Sequence, residues 1–599
     1  MILPEKITHL NGNLFYQLFL SGAKKILDNQ GNLNKINVFP VPDADTGTNL
    51  SSTLRAVIDN TIPHSSFNTT ANAIALAALN GARGNSGVIF AQFLYGLSAE
   101  SDNTINHSID SFAESIKRTV SYIYDAIAEP IEGTMLTVIR EWAEFIYSQK
   151  GKIDDFAKLF HNSHDIAIKS LAATTEKLSA LKLANVVDAG AKGFVLFLEG
   201  IIEAIIRKNN KEENTFILPE VAEADGHIHA HEQIRFRYCT ECIIRGEYID
   251  KKQLKEKIQK FGDSLVIAGS EKLARIHIHT DQPQDLFHEL RNYGILSSQK
   301  ADDMVKQHEV ATARKWNIAL VTDSACDLPL DIMDHYQVNM VPINLHFGDN
   351  QYLDKITIRP DQFFQLIREN KDFPTTSQPN EVSFLNLYTH LADHYDSIIA
   401  VHLSGKFSGT LQNSRKAAER ISKESGKQIS VLDSKNVSGG LGLITLRIAE
   451  AISQGMPHNE IVKRSEEWIT KCRIMVSVKN LKYMIKGGRV SPMKGFMANL
   501  MNVKPIVSVD KTGKSTLFDK AFSQKSNMKK VMKHMGSFLT GPGTWNYIIL
   551  HAEAENIAAW FAEEMRKLTG KEPVSIVNIS PVICLSAGIG TVAIAAMTD

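Results

Sequence analysis

The chain has 599 residues, 43% of them hydrophobic and 22% charged, and its 66 basic residues balance 66 acidic ones. That length exceeds a single hydrophobic core and predicts three or four domains. The composition is that of a globular protein, and the balanced charge argues against a general nucleic-acid or membrane-surface role. The N-terminal stretch MILPEKITHLNGNLF has no basic segment followed by a long apolar core, so no secretory signal is expected. No apolar run is long enough to span a bilayer, and GFVLFLEGIIEAII, broken by two glutamates, suits a buried helix. Five cysteines, an odd number, argue against a disulfide framework. The expected location is cytoplasmic.

In chain order, residues 8–205 read as helical. ANAIALAALNGARGN is rich in helix formers and ends in glycine, while SIKRTVSYIYDAIAEP and AEFIYSQKGKIDDFAKLF carry apolar residues at three- and four-residue spacing. RKNNKEENTFILPEVAEADGHIHAHEQ is polar and reads as a linker, with His227, His229 and His231 as linker residues rather than a site. Beyond it IRFRYCTECIIRG and LARIHIHT alternate like strands around a helical KKQLKEKIQKFGD, which predicts a small α/β domain over 206–313. From 314 to 599, NIALVTDSACDLP, SIIAVHLSG, KQISVLDS, NYIILHAE and VSIVNIS read as strands with helical stretches between, the pattern of an α/β domain.

The first stretch that carries chemistry is NVFPVPDADTGTNL. Asp43 and Asp45 stand two apart on a loop, an arrangement that suits magnesium, a hard cation that shares oxygen ligands with phosphates. Thr48 and Asn49 can offer donors to phosphate oxygens at a helix start. A solvated loop with an N-capping aspartate is the plain alternative. GARGNSGVIFAQF adds glycines that permit close approach to an anion (Gly81, Gly84, Gly87) and donors from Arg83, Asn85 and Ser86, directly before a helix. No Walker motif is present.

NVFPVPDADTGTNL, GARGNSGVIFAQF, EGTMLTVIRE and VVDAGAKGFVLFLEG resemble, in the same order, motifs of the DhaL-like ATP-binding component of dihydroxyacetone kinases. The closest resemblance is to the kinase component of bacterial fatty acid kinases, over about residues 8–205. It implies an all-α helical barrel that holds ATP and two magnesium ions. By that resemblance Asp43 and Asp45 are magnesium ligands, with Asn37 near a third. Thr48, Asn49, Gly84, Asn85 and Ser86 lie on the phosphate side, and Gly133, Thr134 and Met135 form the nucleotide wall. Asp188 lies close to the nucleotide, and Arg83 stabilises charge on the transferring phosphate.

In the middle segment His277 and His279 are two apart on a strand and share one face, where Cys239 can meet them from a neighbouring strand. Cys242 would face the other way. A zinc site and a buried cysteine beside two satisfied histidines are equal readings of these residues alone. YCTE, FGDSLVIAG and the H-x-HT strand resemble the middle domain of fatty acid kinases, which implies zinc on Cys239, His277 and His279.

In the C-terminal segment Asp323, Ser324 and Asp327 stand at a strand end, where α/β folds place ligands. FPTTSQPN and LSGKFSGTLQNS are hydroxyl-rich turns that on their own read as plain turns, although hydroxyls and amides can hold a carboxylate head above an apolar pocket. VTDSACDLP, FPTTSQP, SGKFSGT, VLDSKNVSGGLG and LKYMIKGGRVSP resemble the DegV family in order. The resemblance implies an α/β fatty-acid binder of two subdomains, with Thr376 and Ser377 on the carboxylate and Ser404, Ser408, Gly409 and Thr410 nearby. The chain departs from that family where a head-group histidine is replaced by Ser586, an arginine by Phe522 and a serine by Gly405.

These readings together imply a multidomain chain that phosphorylates a fatty carboxylate with ATP to give an acyl phosphate, with the carrier fused to the kinase. The carboxylate is already nucleophilic, so no strong base is required. The implied partners are a fatty acid or other acyl ligand, a homodimer mate and a downstream acyltransferase, with no nucleic acid. The alternatives are a lipid-binding or regulatory protein with little turnover, and a dihydroxyacetone-type kinase.

Overall fold

Apolar residues recurring every three or four positions in the N-terminal region meet in one core, and short polar side chains set where its helices begin. Asn11 caps the helix Gly12–Asp28 by accepting the Leu14 amide at 2.9 Å. Ser66 and Ser108 cap Phe67–Gly81 and Ile109–Ala126 in the same way. The computed structural model describes residues 6–39, 45–209, 234–370, 372–479, 482–488, 503–540 and 543–599. The linker and its three histidines, Asp43, and the end of LKYMIKGGRVSP lie outside the described residues in whole or in part.

The chain divides into two units, Met1–Gln282 with Glu289–Val305, and Pro283–His288 with Lys306–Asp599. In the first, ten helices among the described residues run from Gly12–Asp28 to Ala189–Asn209. Their centre is filled by rings in edge contact, including Trp142 against Phe194 with centroids 5.4 Å apart, and a cavity of only about 30 Å³ remains among them. The helices Gly12–Asp28 and Ala189–Asn209 approach so closely that a Cβ on Gly200 would lie 2.4 Å from the Ser21 carbonyl oxygen. Glycine is what lets these two backbones touch.

The same unit contains a four-stranded antiparallel sheet in the order Gly262–Gly269, Leu273–Thr280, Tyr238–Arg245, Ile295–Asp303. Val266 and Ala268 of its first strand belong to the helical core. The Ile127–Val266 bridge and the 2.9 Å hydrogen bond from the Ala128 amide to the Leu265 carbonyl join sheet and helices.

The second unit holds a four-stranded parallel sheet, a three-stranded antiparallel sheet and a six-stranded mixed sheet. The helix Gly439–Ser453, buried along most of its length with Arg447 and Glu450 partly exposed, touches strands of both larger sheets. A helix so largely apolar, with only a narrow polar strip, belongs between layers. Among the described residues no helix is long and apolar enough to cross a membrane.

Candidate active site

The pleat of the middle sheet decides which side chains meet. On Tyr238–Arg245, Cys239 and Glu241 are two apart and share a face; on Leu273–Thr280, Arg275, His277 and His279 do the same. The antiparallel register sets Cys239 opposite His279 and Glu241 opposite His277, while Lys300 and Asp302 flank them from Ile295–Asp303. One face thus carries a cysteine, two histidines and a charge network on its three other strands, and Val266 and Ala268 on the edge strand, opposite His277 and Arg275. That apolar edge belongs to the helical core, and the polar residues beside it meet the start of the helix Gly84–Ala99.

The contacts there are short. Glu241, with no exposed surface, accepts the Gly84 amide at 2.6 Å through Oε1 and Arg275 Nη2 at 2.6 Å through Oε2. Arg275 Nη2 also donates to the Ala82 carbonyl at 2.5 Å. Burial alone would raise the Glu241 carboxyl, but the Arg275 guanidinium, the His277 ring and the Lys300 ammonium outweigh it and hold it well below the usual carboxylate range. Lys300 contacts Asp302 at 2.5 Å; burial would lower its ammonium, but Asp302, Glu241 and Cys239 raise it, with Arg83 opposing. Arg83 is therefore within electrostatic reach of the sheet.

Cys239, His277 and His279 place their ligand atoms within 4.8 Å of one another, with Cys239 Sγ 3.9 Å from His277 Nδ1. His277 Nε2 is buried and has no hydrogen-bond partner among the described residues. Burial and the adjacent His277 push His279 down to about 3, which keeps it a neutral imidazole, the form that ligates metal. Burial, then Glu241, Asp302 and Asp45, raise the Cys239 thiol well above its ordinary range. One soft thiol and two imidazoles fit zinc, and a divalent cation would offset what now disfavours the thiolate. Cys242 is buried and stands outside the cluster.

Asp45 is the N-cap residue of Thr46–Asn60, yet its carboxylate makes no capping hydrogen bond. The plain reading of an N-capping aspartate therefore does not describe it. Asn37 accepts the Thr46 hydroxyl through Oδ1. Thr48 is held from both ends by Asn34, whose Oδ1 accepts the Thr48 amide at 3.1 Å and whose Nδ2 donates to Thr48 Oγ1 at 3.0 Å. Gly84 has φ +59, and a Cβ there would lie 2.1 Å from Asn49 Nδ2. Only glycine lets the Gly84 turn sit on Asn49. Asn85 Oδ1 is buried with no partner among the described residues, the sort of polar group that awaits a ligand. The first residues of Gly84–Ala99 and of Ala189–Asn209 also meet, since a Cβ on Gly190 would lie 3.1 Å from Met135 Cε, 3.2 Å from Ser86 Oγ and 3.4 Å from Asp188 Oδ1. Gly133, at φ +90, and Thr134 lead into the helix Met135–Ser148. Asn34, Glu241, Arg275 and Lys300 were not legible as site residues, because each acts through a partner distant in sequence.

In the second unit Thr376 and Ser377 lie on the strand Thr375–Ser377, and Ser377 Oγ is 2.9 Å from His346 Nε2. Gln378 Oε1 accepts the Gly409 amide at 3.0 Å and Asn413 donates to the Pro379 carbonyl at 2.8 Å, which holds this strand beside the Ser408–Gly409–Thr410 turn. Ser408 and Thr410 share a hydrogen bond of 2.8 Å. Ser404 is fully buried and its hydroxyl donates to the Gly513 carbonyl at 2.8 Å, so it serves the packing of the turn. Asp323, Ser324 and Asp327 are buried as well: Asp323 faces His402 at 3.0 Å, and Asp327 faces Lys355 at 2.8 Å and accepts Ser438 at 2.6 Å. Phe522 is 76% exposed at the end of the strand Ser515–Ala521. Ser586 lies on the short helix Pro581–Ala587 against Gly487.

A helical domain with a buried, charge-lined junction to a small sheet, followed by an α/β domain, defines a multidomain class. Family models match three successive regions: the DAK2 domain over residues 40–203, the fatty acid kinase A-like middle domain over 235–311, and the DegV family, described as uncharacterised protein, over 317–599. The chain therefore carries a DhaL-like DAK2 domain, a fatty acid kinase A-like middle domain and a DegV-family domain in one polypeptide. It is 32% identical over 314 residues to an uncharacterised protein of Staphylococcus saprophyticus, across 50% of this chain and 56% of the relative. A Staphylococcus haemolyticus protein is 33% identical over 329 residues, across 52% of this chain and 58% of its own. The chain thus spans about half the length of the curated relatives it matches. Among solved structures, a DegV-family protein of Thermus thermophilus described by its fatty acid binding aligns at 28% identity and TM-score 0.44, over 47% of this chain and 100% of its own. DegV of Bacillus subtilis, described as a fatty acid binding protein, aligns at 26% and 0.44, again over 47% and 100%.

Asp188 gives the site a measurable pH signature. Burial raises its carboxyl to about 6 against the pull of the Ala191 and Met135 amides. The folded protein then holds a proton that the unfolded chain has already released, so stability falls as pH climbs from about 4 to about 6, by at most about 3 kcal/mol. Asp188→Asn is expected to flatten that part of the profile in melting experiments between pH 4 and 7. Parallel loss in native protein and variant would refute the assignment.

Proposed function

We propose that the chain transfers phosphate from ATP to the carboxylate of a fatty acid, giving an acyl phosphate and ADP. The proposed domain limits are 8–205 for the kinase, 206–313 for the middle domain and 314–599 for the carrier. The observation that carries the reading is the junction in the first unit, where the Gly84 helix start meets Glu241 on the Cys239–His277–His279 face, with Arg83 and Asp45 within electrostatic reach of it. Phosphoryl transfer depends on positioning and charge neutralisation more than on covalent chemistry, and this junction supplies both kinds of group.

In this reading Asp43 and Asp45 hold magnesium, whose bound form would neutralise phosphate charge. Asn49, Asn85 and Ser86 orient phosphate oxygens, Met135 and Gly133 wall the nucleotide, and Arg83 meets charge as it develops. Cys239, His277 and His279 hold zinc, which would supply a further fixed positive charge. Thr376, Ser377 and the Ser408–Thr410 turn orient the fatty carboxylate. Fusion of carrier and kinase raises the effective concentration of one at the other. A second reading, a lipid-binding protein with little turnover, is favoured by Phe522 and Ser586, which leave cationic positions of the DegV pattern unfilled.

Asp43→Ala and Asp45→Ala are each expected to lower ATP turnover by on the order of 100-fold or more while melting stays native-like. Turnover at the native level in either variant would sink the magnesium assignment. Elemental analysis should find about one zinc per chain, lost in Cys239→Ser; metal-free native protein would leave the cluster a buried core feature. For the carrier, Phe522→Arg with Ser586→His is expected to tighten palmitate binding about tenfold, the effect of one added charge-assisted hydrogen bond. If the folded double variant and the native protein both bind no fatty acid, the acyl reading is wrong.

A further inference from the structure

We infer that Glu241, held by Arg275, is the positioning residue that sets the Ala82–Gly84 turn and so aims Arg83, joining the metal-ligand face of the sheet to the phosphate side of the helical domain. It rests on the kinase reading only for the role of Arg83. The two side chains grip the peptide groups on either side of Arg83. Glu241 takes the Gly84 amide at 2.6 Å, Arg275 takes the Ala82 carbonyl at 2.5 Å, and the pair closes on itself at 2.6 Å. On its other side the Arg83 amide donates to Thr53 Oγ1 at 3.3 Å. With both flanking peptides held and Gly84 fixed at φ +59, the Arg83 backbone has little freedom left.

The bond to Gly84 also uses the first amide of Gly84–Ala99, where the partial positive charge of a helix start lies. A protein carboxylate at that amide leaves the next amides, those of Asn85 and Ser86, as the ones open to an anion. The same Glu241 oxygen lies 3.3 Å from His277 Nδ1, so one carboxylate sets both the turn and the ring of a cluster member.

A general domain contact is the competing account, and the rest of the junction argues against it. Sheet and helices are also joined by the Gly269 amide to Gln92 Oε1 at 2.8 Å, Lys255 Nζ to the Ile127 carbonyl at 2.7 Å, and the apolar insertion of Val266 and Ala268. Docking therefore has its own attachments away from the turn, and the Glu241–Arg275 pair acts locally.

The test is hydrogen exchange read by mass spectrometry on the full chain without nucleotide, with MgATP affinity as a second readout. Glu241→Gln alone leaves a buried guanidinium unpaired and can fail to fold, so the deciding variant is Glu241→Leu with Arg275→Met, which removes both charges. The expected result is a native-like melting temperature, amides of residues 82–87 exchanging about tenfold faster, and MgATP bound about tenfold more weakly, as for one lost charge-assisted hydrogen bond. Residues 126–128 and 265–269 should exchange as in the native protein. Unchanged exchange over 82–87 in the folded double variant overturns the inference. So does an equal rise over 126–128 and 265–269, or a double variant that does not fold, since either makes the pair a general determinant of the fold. Native protein that binds no MgATP would instead remove the kinase reading, and exchange alone would then decide whether Glu241 sets the turn.

Discussion

Glu241 and Arg275 form an ion pair at the seam between a sheet and a helix start, with side-chain exposures of 0% and 5%. Such a pair is sustainable only where the remaining polar groups find partners, because desolvating two charges costs several kcal/mol each, in rough terms, before any attraction is counted. Here the partners are the backbone of Ala82 and Gly84 and the His277 ring, while Arg275 Nε is buried with no partner among the described residues. The conformation of the glycine-rich turn, the approach of Asn49 beneath it and the arrangement of the Cys–His cluster are therefore solved together. Moving one would leave a charge or an amide buried without a partner.

The sheet reaches this position through an ordinary hydrophobic constraint. Its inner face is apolar at Val266 and Ala268 and polar at Cys239, Glu241, His277 and His279. Burying the apolar edge strand against the helices places the polar residues of the neighbouring strands at the helix start. The site is a by-product of that docking, which is why its residues come from strands and helices far apart in sequence.

The second unit handles buried polarity differently. Its strand-end acids face inward: Asp323 accepts the Leu403 amide at 2.9 Å and Asp327 accepts the Ser580 amide at 3.2 Å, so both brace the loops. The hydroxyls of Ser377 and Ser408 stay nearer the surface while Thr410 is buried, and they are tied by hydrogen bonds, Ser377 to His346 and Ser408 to Thr410. In the proposed acyl reading a carboxylate head would meet hydroxyls and amides on this strand and turn, with Phe522 and Ser586 standing where the DegV pattern has cations.

The sequence by itself determined whatever depends on local periodicity. Spacing of three and four residues marked the N-terminal helices, and alternation marked Tyr238–Arg245 and Leu273–Thr280, so the shared face of His277 and His279 followed from the two-residue repeat. The motifs NVFPVPDADTGTNL and GARGNSGVIFAQF were legible because glycine, aspartate and asparagine mark backbone turns whatever surrounds them. Val592–Thr598 escaped that reading, since all seven residues are buried and a strand covered on both faces shows no alternation. Glu241 escaped it for another reason. Its meaning depends on a register that sets it opposite His277, 36 residues away, and on a docking that brings it to Gly84, 157 residues away. Register and docking are settled by which faces can be buried together, a property of the assembled layers that no local pattern of residues contains.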